Sequence, residues 1–114
     1  MVEGLQAPNR SGPHELTLAE FQEIIRRMYL RKDMARGVEG TFMWLAEEFG
    51  ELAAALRKGS LAEKAEEFAD VLAWLVTIAN VAGVDLAEAV WKKYAQGCPG
   101  CGQMVCMCPD AGKP

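Results

Sequence analysis

The chain has 114 residues, enough for one small domain whose core is modest beside its surface. Acids outnumber bases 16 to 12, for a formal charge of −4, and the two signs are interleaved, which argues against a nucleic-acid polymer, whose backbone calls for a basic face. No run of eighteen uninterrupted apolar residues occurs and no N-terminal stretch has signal-peptide character, so no membrane partner is expected and the expected location is the cytoplasm.

Residues 1–15 include Gly4, Pro8, Asn9, Gly12 and Pro13, show no period, and are expected to form a flexible leader. A helical domain is expected over residues 16–97. Thr17-Leu18-Ala19-Glu20 has the pattern of a capping box, and behind it Phe21, Ile24, Ile25, Met28 and Tyr29 recur at helical spacing. This first helix should reach about Ala35 and stop at Gly37 and Gly40. A second should cover about Thr41 to Lys58, with Leu45, Phe49, Leu52 and Leu56 on one side and Gly59 at its end. Ser60-Leu61-Ala62-Glu63 opens a third helix, lasting to Gly83, whose apolar side is Phe68, Val71, Leu72, Leu75, Val76 and Ala79. Asp85-Leu86-Ala87-Glu88 repeats the start signal for a fourth, closed by Gly97. No segment alternates with period two, so the fold class is all-α. Four helices with short connections predict an antiparallel four-helix bundle. So much apolar surface on so short a chain predicts that a second copy completes it, as a dimer or a larger assembly.

Two acidic signatures interrupt the apolar stretches: Glu47-Glu48-Phe49-Gly50-Glu51 and Glu67-Phe68-Ala69-Asp70. On a helix, Glu48 with Glu51 and Glu67 with Asp70 project from one face. At about 100° per residue, Trp44, Glu48, Glu51 and Ala55 form a strip beside Leu45 and Leu52, while Glu47 falls further toward solvent. Glu63, Glu67, Asp70 and Trp74 likewise border the apolar side of the third helix. The acids therefore sit at the margin of the core, where a cleft would lie. If these helices pack side by side, four carboxylates converge, and repulsion forbids that arrangement without a cation. An oxygen-only set suits a hard divalent ion such as Mg²⁺. The plainer alternative is a set of solvated surface acids. It is weakened because the first signature has no basic i+4 partner, and because each cluster shares its strip with a tryptophan. A di-iron carboxylate bundle fails on its ligands: it needs Glu-x-x-His on two helices, and the only histidine is His14, in the leader.

The run Trp44-Leu45-Ala46-Glu47-Glu48-Phe49-Gly50-Glu51-Leu52, followed by Glu67-Phe68-Ala69-Asp70-Val71-Leu72, resembles the ExxE…ExxD signature of the MazG-like nucleotide pyrophosphohydrolases, members of the all-α NTP pyrophosphatase superfamily. The resemblance runs from roughly Thr17 to Gly97 and includes the Gly83-Val84-Asp85-Leu86 turn. It implies Mg²⁺-dependent hydrolysis of nucleoside triphosphates between the α and β phosphates, giving monophosphate and pyrophosphate, by a homodimer or homotetramer. Clearing of unwanted or non-canonical nucleotides is the task it implies. Carried over residue by residue, Glu48, Glu51, Glu67 and Asp70 would hold Mg²⁺, and Glu47 or Glu48 would position or deprotonate the attacking water. Lys92 and Lys93 stand where the family often places basic residues near the triphosphate, although a helix C-terminus favours cations in any case. Trp44 and Trp74 are candidates to stack on a nucleobase and Asn80 to touch phosphate or sugar, with core packing and a satisfied buried amide as the plainer alternatives. Two other functions stay open: a non-catalytic helical binding module, and a pyrophosphatase of a phosphoribosyl-nucleotide intermediate.

All four cysteines fall in the tail, residues 98–114. Cys98 and Cys101 make a C-x₂-C pair, and Cys106 and Cys108 a C-x-C pair. Four sulfurs are the complement of a closed structural zinc site, so a zinc knuckle is expected. Disulfides conflict with a cytoplasmic setting, and the tail has too few apolar residues to fold alone, which leaves a metal to order it. Such a tail would either pin the last helix or recruit a partner.

Overall fold

The computed structural model describes residues 15–110; the leader expected over residues 1–15 lies, but for Glu15, outside them. Three helices make up the regular structure: α1, Leu18–Lys58; α2, Leu61–Ala82; and α3, Leu86–Tyr94. No strand occurs among the described residues. Both expected capping boxes form. Thr17 Oγ1 accepts from the Glu20 N–H at 3.0 Å while Glu20 Oε1 accepts from the Thr17 N–H at 2.9 Å. Ser60 and Glu63 repeat the exchange at 3.1 Å in each direction. Each cap contributes about 1 kcal/mol to its helix. At α3 only half of the motif closes: Asp85 accepts from the Glu88 N–H, but the Glu88 carboxylate turns forward to Lys92, 2.7 Å away.

The expected stop at Gly37 appears as a break inside α1. Gly37 has φ 80° and ψ 177°, a region essentially closed to residues with a Cβ, and the helix resumes at once. Thr41 spans the break by donating its hydroxyl to the Gly37 carbonyl at 2.7 Å. Arg36 Nη1 donates to Thr41 Oγ1 at 3.2 Å and to Asp33 Oδ1 at 3.1 Å. Thr41 is 0% exposed and Asp33 2%, so this clip is interior.

The antiparallel four-helix bundle is corrected on two counts. The first two expected helices are one kinked element, because a single glycine breaks the dihedrals without opening a loop. The last, α3, has nine residues and leaves α2 through a bend of 101°, whereas bundle helices lie about 20° from antiparallel. Gly83 caps α2 in the left-handed region, and Gln22 of α1 then seizes the turn. Its Nε2 donates to Val84 O at 2.7 Å and to Asn80 Oδ1 at 3.0 Å, its Oε1 accepts from the Leu86 N–H at 3.0 Å, and its carbonyl accepts from Asn80 Nδ2 at 3.3 Å. One polar side chain thereby fixes where α3 begins.

Packing is chiefly α1 against α2. Among the described residues the buried apolar ones are few: Ile25, Leu45, Ala55, Val76 and Ala79. Phe49, Phe68, Leu72 and Leu75, all expected to point inward, are about half exposed. The radius of gyration, 16.6 Å, exceeds the roughly 13 Å of a compact domain of this length. No single helix among the described residues is long and apolar enough to cross a membrane.

The link from α1 to α2 is two residues, Gly59 and Ser60. The Gly59 N–H donates to Ala55 O at 2.7 Å, and a Cβ built on Gly59 would lie 2.7 Å from that same oxygen and 3.0 Å from Ala55 Cα. Glycine is needed here for room, since its φ of −80° is ordinary. Gly59→Ala should destabilise the protein by about 1–3 kcal/mol, the usual range for overpacking, measured as a shift in denaturant midpoint. An unshifted midpoint would show that the turn has slack.

Candidate metal centre

The short turn makes the 38–58 arm of α1 and α2 run side by side in opposite directions. Trp44 stacks on Trp74, ring centroids 6.2 Å apart and planes 19° from parallel. One helical turn further along α1 and one turn back along α2, Glu48 meets Asp70 and Glu67: one carboxylate oxygen from each of the three lies within 4.8 Å of the others. Glu51 adjoins the group and raises the proton affinity of both Glu48 and Glu67. The i, i+3 spacing on each helix thus becomes one cluster only because the antiparallel register aligns the two strips.

Electrostatics confirm the crowding. Glu48 is pushed up to about 7, first by burial, then by its hydrogen bond with Glu51 and by the charges of Glu51, Asp70 and Glu67. Burial, followed by the charges of Glu51, Asp70 and Glu66, also raises Glu67 above its ordinary value. One oxygen of each, Glu48 Oε2 and Glu67 Oε2, is buried without a hydrogen-bond partner. Acceptors left unmatched away from water are destabilising, and a cation would relieve both the repulsion and the missing partners. Three or four carboxylate oxygens with no nitrogen or sulfur donor fit a hard divalent ion. Glu47 is exposed and stands outside the three-acid group.

Beside the cluster opens a cleft of about 370 Å³, lined by Glu51, Lys58, Glu63, Glu66 and Glu67 among others. Lys58, expected only as the last residue of its helix, lines this cleft as a basic group. The relevant spacing is i+7 from Glu51, two turns along the same face. Lys92 and Lys93 do not line this cleft: Lys92 pairs with Glu88 and the Lys93 ammonium sits 5.6 Å from the Tyr94 ring centroid. Asn80 commits both its amide atoms to Gln22. Trp44 is 49% exposed, whereas Trp74 is more enclosed and has the Arg36 guanidinium 5.0 Å from its centroid. Away from these helices, Cys98, Cys101, Cys106 and Cys108 gather in a group of their own, sulfurs within 4.8 Å of one another.

A comparison with curated proteins finds no match. A comparison with protein families does: the MazG nucleotide pyrophosphohydrolase domain matches residues 36–102. That segment begins at the α1 kink and takes in both acidic signatures, α2, α3 and the first two cysteines, leaving out the first arm of α1. Since the match covers more than half of the chain, the protein belongs to the MazG nucleotide pyrophosphohydrolase family.

Proposed function

We propose that this protein is a Mg²⁺-dependent nucleoside triphosphate pyrophosphohydrolase, releasing monophosphate and pyrophosphate. The observation that carries the reading is the meeting of Glu48, Glu67 and Asp70 within 4.8 Å, with two of their oxygens buried and unmatched, in a chain of this family. Glu48, Glu67 and Asp70 hold the cation and Glu51 completes the set. Bound there, Mg²⁺ would supply charge neutralisation for the phosphate oxygens and for the attacked phosphorus. Glu48 is the carboxylate assigned to position the attacking water, because Glu47 lies outside the cluster. Lys58, at the cleft wall, is placed to meet a phosphate oxygen. The open part of Trp44, one turn before Glu48, offers a surface for a nucleobase.

The assembly completes the reading. Phe42, Phe49 and Leu56 of α1 and Leu61, Phe68, Leu72 and Leu75 of α2 are all exposed, each set spaced to lie on one side of its helix. A second copy of the chain is the occupant we assign to this apolar surface, in keeping with the small core of the single chain.

Incubation with a panel of NTPs and dNTPs plus Mg²⁺ should yield pyrophosphate. Release of single phosphates, or no turnover on any nucleotide, would refute the proposal. Glu51→Gln and Asp70→Asn should each lower kcat at least about 100-fold with the helical circular dichroism unchanged.

The raised carboxylates also set a pH dependence. A carboxyl held at about 7 in the folded chain, against 4.5 ordinarily, keeps a proton that the unfolded chain has released. Metal-free stability should therefore fall as pH rises from about 4.5 to 7, and added Mg²⁺ should raise Tm more at pH 8 than at pH 5. Glu48→Gln should flatten both trends. Every other titrating group is common to the two proteins, so equal pH profiles would contradict the assignment. For the assembly, sedimentation should give at least twice the 12.5 kDa chain mass, reduced to a single chain by the double substitution Leu72→Glu, Leu75→Glu. A monomeric parent protein would refute the second-copy reading.

A further inference from the structure

The cysteine tail takes no part in the nucleotide site, yet it is the most chemically specific feature outside it. We propose that residues 98–108 form a closed structural site for one Zn²⁺, ligated by the thiolates of Cys98, Cys101, Cys106 and Cys108.

The distances match a tetrahedron. Four sulfurs about 2.3 Å from a zinc ion stand about 3.8 Å from each other; Cys98 Sγ and Cys108 Sγ are 3.8 Å apart, and all four sulfurs fall within 4.8 Å of one another. The thiols are free, not joined as disulfides.

The surrounding backbone is built for thiolates. The Gly100 N–H donates to Cys98 Sγ at 3.3 Å, the Met107 N–H to Cys101 Sγ at 3.3 Å, and the Cys108 N–H to Cys106 Sγ at 3.4 Å. Donors aimed at sulfur disperse its negative charge and orient it toward an ion. Two backbone bonds close the first knuckle: the Gly102 N–H donates to Cys98 O at 2.7 Å and the Cys98 N–H to Gln103 O at 2.8 Å. No apolar burial accounts for this order, since Met104, Val105 and Met107 are each at least 75% exposed. Ordering a backbone costs on the order of 1 kcal/mol or more per residue, and metal ligation would supply free energy of that kind beyond these hydrogen bonds.

Four sulfur ligands leave no open position for water or substrate, so the site is structural. Tetrahedral sulfur coordination suits zinc or iron, and zinc, without redox chemistry, is the usual occupant of a closed four-cysteine site. The knuckle begins four residues after α3 ends at Tyr94, so the metal would order the chain just beyond that helix. Nothing in this depends on the nucleotide reading.

The test uses the full-length protein purified without added metal, then stripped and reloaded. Elemental analysis should find one zinc per chain, and native mass spectrometry a single added zinc that survives removal of Mg²⁺. Cobalt loaded in its place should show thiolate-to-metal charge-transfer absorption with tetrahedral d–d bands. Cys101→Ser and Cys108→Ser should each drop zinc from one per chain to none while the helical circular dichroism persists. Should either variant fail to fold, hydrogen exchange of residues 98–108 in the parent chain decides: protection with zinc that is lost on stripping supports the site. Exchange indifferent to zinc, four freely reactive thiols in the purified protein, disulfide masses, or stoichiometric iron would each overturn the assignment.

Discussion

The two-residue turn at Gly59 and Ser60 is the constraint from which the carboxylate cluster follows. Gly59 has no space for a side chain against Ala55, and Ser60 immediately caps α2, so the chain reverses with no freedom to slide. In an antiparallel pair locked this way, each turn gained on one helix is met by a turn given back on the other. Trp44 must then face Trp74, and Glu48 must face Asp70 and Glu67. A register shift of one residue would turn one of the acidic strips by about 100° and dissolve the cluster.

That cluster opposes the folding of the chain that carries it. Carboxylates with raised proton affinity and buried, unmatched oxygens are what folding alone would avoid. The rest of the helix pair holds them in place: the stacked indoles above them, the buried Leu45, Ala55 and Val76 beside them, and the Ser60 cap below. The chain thus presents a preorganised anionic cluster, and local conflict of this kind is the arrangement expected at functional sites.

Much of this was legible in the sequence because it is local. Capping boxes at Thr17 and Ser60, the break at Gly37 and the convergence of Glu48, Glu67 and Asp70 all follow from spacing along one or two helices, and the last also from the family signature. What escaped was long-range. Gln22 is an unremarkable polar residue on a helix until Asn80, Val84 and Leu86 come into reach, and with it the steep departure of α3 escaped too. The apolar stripes were read correctly as stripes, but the period of a helix does not say which partner covers it, so Phe49, Phe68, Leu72 and Leu75 were expected inside and stand outside. Lys58 escaped as well, because the cleft it lines is formed by two helices and not by spacing along one.

The stacked tryptophans carry one more consequence. Two indoles 6.2 Å apart, each a single turn from an acid of the carboxylate cluster, make an intrinsic optical ruler: their electronic coupling and shared emission depend steeply on separation and tilt. Trp91, the third tryptophan and 73% exposed, adds only a solvent-like background. Any event that slips one helix along the other, or draws the acids together, is therefore written into the protein's own fluorescence, with no label attached.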